Sequence, residues 1–263
     1  MKTNKIFSMF VMGILSLSML GCIPTPPVEA TVVPVVVEST PTTEVPAGNS
    51  SGACANPYLP VIVGATWGYK VTGPVSDTFT RTILSVEPNS FTDQDVFGTG
   101  VTRQSKWNCD NGNLTALNPA SGVSSSVNTE NVTIDFQTTE FSGITLPATI
   151  NPGDTWSQSA TLEGVQTITG IEVPTKNQFT VNCTAIGIET ITVEAGTFDA
   201  MRFDCPITMN ITITMNDSPI QTDLAINSMN WHAQDIGLIK TTTTGTGFDS
   251  TIELVSYSIP LSP

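Results

Sequence analysis

Ile207-Thr208-Met209-Asn210-Ile211-Thr212-Ile213-Thr214-Met215 alternates apolar and polar side chains without a break. Successive side chains of a strand point to opposite faces, so this run puts Met209, Ile211, Ile213 and Met215 on one face and the threonines on the other. A helix would scatter the same apolar positions around its circumference. Working outward, Val181-Asn182-Cys183-Thr184-Ala185 repeats the alternation, and turn signals such as Asn111-Gly112, Asn151-Pro152-Gly153, Ala195-Gly196 and Asn216-Asp217-Ser218-Pro219 separate the runs. No apolar stripe of helical period follows residue 22. The pattern from 58 to 263 predicts an all-β domain, an antiparallel curved sheet forming an open barrel or a sandwich.

Within that domain the sequence echoes itself. Leu59-Pro60 leads to Gly64-Ala65-Thr66-Trp67, and Leu146-Pro147 leads to Gly153-Asp154-Thr155-Trp156; Trp107 precedes Gly112 and Leu114 as Trp231 precedes Gly237 and Leu238. The spacing suggests two similar halves, 58–140 and 145–258. Tryptophans at such places are expected as core anchors rather than as a ligand cage.

Residues 1–22 read MKTNKIFSMFVMGILSLSMLGC. Two lysines, an apolar run shorter than the roughly 20 residues of a membrane span, and a small residue before cysteine form a secretory signal pattern. Its end, Leu17-Ser18-Met19-Leu20-Gly21-Cys22, resembles the bacterial lipobox, which makes Cys22 the residue to carry acyl chains. Residues 23–57 hold prolines at 24, 26, 27, 34, 41, 46 and 57 among Thr, Val and Ser. Such a tether favours extended conformers and, at about 3.1 Å per residue, spans roughly 100 Å.

The charge balance narrows the partners. With 9 basic and 23 acidic residues the 263-residue chain carries a formal −14. It has no Lys/Arg stripe to displace counterions from phosphates, so no nucleic-acid partner is expected, and an anionic lipid surface would repel it. Membrane contact is assigned to the lipid anchor, at about 0.8 kcal/mol per buried methylene.

Setting Cys22 aside leaves Cys54, Cys109, Cys183 and Cys205, an even set in an exported protein, which reads as disulfides. One pair per half predicts Cys54 with Cys109 and Cys183 with Cys205. None is spaced as C-x2-C, so no zinc or other metal site is expected.

A catalytic set is not evident. Gly48-Asn49-Ser50-Ser51-Gly52 matches the nucleophile-elbow pattern but lies in the tether, without the strand and helix that hold such a turn. His232 is the single histidine and is expected as a hydrogen-bonded surface or edge residue. Asp93/Asp95 and Glu189/Glu194 are the carboxylate pairs a glycosidase would need at a set separation. Asp93-Gln94-Asp95 and Asp110-Asn111-Gly112-Asn113 also offer oxygens for calcium, but neither continues as an EF-hand loop. The expectation is no enzyme and no cofactor. The soft apolar wall of Met209, Ile211, Ile213 and Met215 is instead a candidate surface for a lipid-like ligand.

Two further runs carry a resemblance. Val193-Glu194-Ala195-Gly196-Thr197-Phe198-Asp199-Ala200 and Trp231-His232-Ala233-Gln234-Asp235-Ile236-Gly237-Leu238-Ile239-Lys240 resemble the V-x-A-G-T-F-x-A and W-[YF]-A-x-x-[IV]-G-[LV]-[VI]-K motifs of uncharacterised β-rich bacterial envelope proteins. Glu253 to Tyr257 fits their closing strand. The resemblance covers mainly residues 185–257 and implies, at the level of fold, the curved half-barrels of periplasmic lipoprotein and lipid carriers. The chain departs from the motif at His232, where an aromatic is usual, which counts against an aromatic pocket along that strand.

Together these features predict a lipid-anchored extracytoplasmic lipoprotein in the bacterial cell envelope, a non-catalytic binding or envelope-assembly module for an apolar or amphipathic ligand. The alternatives are a protein-interaction module of the envelope without a cavity, and a hydrolase of envelope polymers.

Overall fold

Alternation along the chain becomes register across it. A computed structural model describes residues 52–261 apart from 75, 118–126, 129–131, 169, 216–217 and 246–248. The signal peptide with Cys22 and the tether up to residue 51 therefore lie outside the described residues. A single 3-10 turn, Gly52–Cys54, is followed by β1 (Thr66–Thr72), β2 (Asp77–Glu87), β3 (Ser90–Phe97), β4 (Thr102–Asp110), β5 (Asn113–Ala116), β6 (Val127–Asn128) and β7 (Val132–Gly143). Then come β8 (Thr155–Ile168), β9 (Ile171–Val193), β10 (Gly196–Met215), β11 (Ser218–Ala233), β12 (Gly237–Gly245) and β13 (Ser250–Ser258).

All thirteen belong to one sheet in the order β5-β4-β3-β2-β1-β13-β12-β11-β10-β9-β8-β7-β6. Every pairing is antiparallel, as short turns between consecutive strands allow. The first and last long strands, β1 and β13, lie side by side, so both halves of the chain contribute to one continuous surface. Register shifts at Gly68/Tyr69, Ile83/Ser85, Thr138/Glu140, Arg202/Phe203 and Trp231/His232 add the local twist that coils a wide sheet. Coiling brings β5 against the segment between β7 and β8: Leu114 N–H donates to Leu146 O at 2.9 Å and Thr145 N–H to Leu114 O at 2.9 Å. The sheet is a nearly closed barrel, which removes most of its free edge.

The β4–β5 turn shows why Asn-Gly was needed. Asn111 and Gly112 have φ of 49° and 84°, the doubly positive geometry of a tight hairpin turn. A Cβ on Gly112 would also come within 2.5 Å of the Ala55 carbonyl oxygen. The close approach lets Asn56 Nδ2 donate to Gly112 O at 2.8 Å and to Pro147 O at 3.0 Å. Residues 52–57, read from composition as the end of the tether, are thus docked on the barrel.

Two disulfides join Cys54 to Cys109 and Cys183 to Cys205, the half-by-half pairing. The first fastens the entering chain to β4; the second links directly facing residues of β9 and β10. Burial is split between a large core at the base, including Trp67, Tyr69, Phe91, Phe203 and Leu254, and a small one of Phe136, Ala160, Leu162, Phe179 and Met209 further along the long strands. Val181 packs against both.

Candidate functional site

The inner face of the base is not filled with hydrocarbon alone. On β2, β3 and β4 the alternation turns Arg81, Asp93, Asp95 and Arg103 inward, and the register sets Arg81, Asp95 and Arg103 directly opposite one another. Arg81 Nε and Nη2 donate to the two Asp95 oxygens at 2.8 and 2.9 Å, and Arg103 Nη2 donates to the same carboxylate. Asp93 Oδ2 lies 3.6 Å from Arg81 Nε. Asp95 is 2% exposed and Asp93 3%. Burial opposes both charges, but the two guanidinium groups hold the Asp95 carboxyl below the usual range, whereas burial keeps Asp93 above it despite Arg81. The Trp107 indole N–H is close enough to favour charge on Asp93 yet makes no hydrogen bond of full geometry.

This answers the question of the carboxylate pair. Asp93 and Asp95 do come together, but as counter-ions of buried arginines. Glu189 and Glu194 do not share a cleft: Glu189 accepts from Trp231 Nε1 at 2.7 Å and from Arg202 Nη1 at 3.2 Å, while Glu194 is exposed at the β9–β10 turn. The Trp231 bond and the arginine hold the Glu189 carboxyl below its ordinary value. Asp110 is exposed and accepts from the neighbouring Asn111.

Beside the ion cluster lies a half-open cavity of about 270 Å³. Its wall is mainly apolar, with Trp67, Tyr69, Trp107, Trp156 and Phe203 as its aromatic members and Arg81, Thr145, Gln158, Ser228, Asn230 and His232 as polar ones. The volume lies at the lower edge of the ~300–1,000 Å³ usual for small-molecule sites. Trp67 Nε1 donates to Ile236 O at 2.6 Å, Trp156 Nε1 to Thr145 O at 3.1 Å and Tyr69 Oη to Leu238 O at 3.1 Å. These rings are therefore fixed by their polar tips and present apolar bodies to the cavity.

Two expectations are corrected here. His232 is not a surface or edge residue: it lines the cavity, packs against Phe203 in a tilted arrangement at 5.2 Å between centroids, and its Nδ1 lies 3.3 Å from Tyr58 O. Burial pushes its pKa down to about 4, against the pull of the Tyr58 carbonyl, so the ring is neutral at pH 7. All four tryptophans belong to the large core; Trp67, Trp107 and Trp156 also wall the cavity, and Trp231 does not. It sits on the opposite face of β11 from His232, under the Arg202 guanidinium at 5.8 Å. Strand alternation, not hydrophobicity, decides which of two adjacent residues points inward.

The apolar wall of β10 lies elsewhere. Met209 is buried in the small core, Ile211 packs against it, Ile213 is half-buried and Met215 is exposed. None of the four borders the cavity; Ile207, one step earlier on the same face, does. A larger groove of about 880 Å³ crosses β7 to β11, where Glu140, Thr161, Gln178, Asn210 and Asp223 give it a polar lining.

A family model described as DUF3108-like matches residues 81–259, which include the β2–β4 ion cluster and all of β7 to β13. The chain belongs to the DUF3108-like family. Among solved structures, a candidate lipoprotein of Parabacteroides distasonis is similar over 77% of this chain and 99% of its own, at 18% identity and a TM-score of 0.50. A candidate exported protein of Bacteroides fragilis with a YmcC-like fold is similar over 78% and 100%, at 14% identity and a TM-score of 0.50. At such identity the likeness is one of fold. No curated protein matches. In this chain the barrel carries an aromatic cavity, and His232 is part of its wall.

Proposed function

We propose that this DUF3108-like chain is an extracytoplasmic lipoprotein, anchored by acyl chains on Cys22, that binds a small apolar or amphipathic ligand inside its barrel without catalysing a reaction. The cavity of about 270 Å³ with its pinned aromatic wall carries this reading. Apolar rings bind the hydrocarbon part of a ligand, and Asn230, Arg81 and neutral His232 offer a few convergent polar groups to orient the rest. The lipobox, the disulfides and the family's likeness to candidate lipoprotein and exported folds support the location. Of the candidate carboxylates, Asp93, Asp95 and Glu189 are already paired with arginine and Glu194 stands alone on the surface, which favours binding over hydrolysis.

Native mass spectrometry of the intact protein, taken from membranes in mild detergent, tests the reading. The expected result is a chain acylated at Cys22 that carries an additional non-covalent mass, released by organic solvent and identified as a small amphipathic molecule. An acylated chain with no such mass, and none regained on incubation with envelope lipid extract, would overturn the cavity as a binding site. The polar groove of about 880 Å³ favours a second reading, an interaction module with a hydrophilic envelope partner.

A further inference from the structure

The cavity wall offers its polar groups in fixed roles. His232 Nδ1 lies 3.3 Å from Tyr58 O, and a carbonyl oxygen only accepts, so Nδ1 carries the proton of the ring. With the ring neutral, Nε2 is left as a bare lone pair, an acceptor. It has no hydrogen-bond partner among the described residues, yet it is not one of their enclosed unpaired atoms, which are Arg103 Nε, Trp107 Nε1 and the two Asn177 amide atoms. The open space that His232 borders is the cavity. Two residues earlier on the same face of β11, Asn230 Oδ1 accepts from Thr241 Oγ1 at 3.0 Å and from Ser228 Oγ at 3.4 Å. That orients the amide and leaves the Asn230 Nδ2 hydrogens to donate. An acceptor and a donor thus stand about 7 Å apart along one strand, on the wall of one cavity.

Charge decides what kind of ligand group meets them. Arg81 acts on the ring through its charge, but its Nε and Nη2 bonds go to Asp95. With Arg103 and Asp93 the cluster holds two formal positive and two formal negative charges. No counter-ion is left over for a carboxylate or a phosphate in the mainly apolar cavity, and an ammonium would be repelled by Arg81. We propose that the occupant of the cavity ends in an uncharged hydroxyl, which donates to His232 Nε2 and accepts from Asn230 Nδ2. The proposal rests on the cavity reading above and narrows its ligand to an apolar alcohol. A protonated carboxyl presents the same donor and acceptor, so a fatty acid binds only together with a proton, and more weakly at neutral pH than the alcohol.

The chain has a single histidine, so isotopic labelling of imidazole nitrogens in the intact acylated protein reports on His232 alone by NMR. In mild detergent, decanol is expected to shift the Nε2 resonance in the direction of a hydrogen-bonded acceptor. Methyl nonyl ether, its isomer without an O–H, is expected to enter the cavity and leave Nε2 unchanged. Both should move the indole signals of Trp67, Trp107 and Trp156, which border the cavity. Decanol should also bind about tenfold tighter than the ether, a preference lost in His232→Phe. Equal Nε2 shifts or equal affinities for alcohol and ether in the wild type, or a proton found on Nε2 in place of Nδ1, would overturn the proposal and leave the cavity reading standing. Indole and imidazole signals that neither compound moves would overturn the cavity reading and the proposal together.

Discussion

The base of the barrel and the outer reaches of its long hairpins are built from the same two-residue alternation, yet they differ in what rests on the inner face. At the base, β1 to β5 and the docked segment 52–60 cover that face, and tryptophans, a disulfide and a buried ion cluster fill the space. Toward the tips, threonine and isoleucine alternate equally well, but the inner face becomes exposed. Alternation therefore specifies a sheet and its two faces; burial is decided by which other strands fold over it. In the base, polar residues at inward positions need partners inside; Arg81, Asp95 and Arg103 find them in one another, while Arg103 Nε and Trp107 Nε1 have none.

The largest effect should come from breaking the cluster that distinguishes the base. Asp95→Ala leaves two guanidinium groups without their shared carboxylate and is expected to cost about 3–5 kcal/mol in urea unfolding. Ile220→Thr at a hairpin tip is expected to stay within about 0.5 kcal/mol. Comparable losses at both places would remove the distinction between the regions.

Next in size is the Cys183–Cys205 bridge, which closes a short loop where base and hairpins meet. Replacing both cysteines by serine is expected to lower stability by about 3 kcal/mol, chiefly by freeing the unfolded chain. An unchanged urea midpoint would place the junction's stability in the packing around Val181 and Phe203 alone.

A smaller, pH-dependent effect belongs to His232. Its folded pKa of about 4 lies below the unfolded value of about 6.5, so between the two the unfolded chain binds more protons. Its contribution is fully present above pH ~6.5 and is lost as pH falls toward 4, by about 2 kcal/mol between pH 7 and pH 5. Asp93, with a raised pKa, works in the opposite direction. The readout is therefore the difference in unfolding free energy between wild type and His232→Phe at pH 7 and at pH 5. The variant should gain relative to wild type on acidification, and parallel pH profiles would contradict a buried neutral imidazole.

Much of the base was legible in the sequence because its signals are local. Asn111-Gly112 specified a tight hairpin, the even cysteines a pair of bridges, and the Ile207–Met215 run a strand whose apolar members share a face. What the sequence left unread depends on non-local closure. Asp93 and Asp95 read as a free carboxylate pair or as calcium oxygens because their arginine partners come from neighbouring strands. His232 looked peripheral because a lone histidine carries no periodic signal. Its even-numbered neighbours Asn230 and Ser228 did place it on a face shared with Ile226, and following that parity would have turned it inward. The same strand turns Trp231 to the other face, where it is buried beneath Arg202. Composition alone also set the tether's end too late, since the docking of Asn56 on Gly112 is visible only once β4 and β5 have paired.

The central claim is that the aromatic cavity at the base holds an apolar or amphipathic ligand. Three of the four tryptophans, Trp67, Trp107 and Trp156, border it, and Trp231 faces away. The most direct measurement is quenching of tryptophan fluorescence by a bromine-bearing fatty acid, in wild type and in Ile207→Phe, whose larger ring intrudes on the cavity. Saturable quenching of most of the emission in the wild type, lost in the folded Ile207→Phe protein, is the predicted result. Quenching that never saturates, or that is the same in both proteins, would contradict the claim.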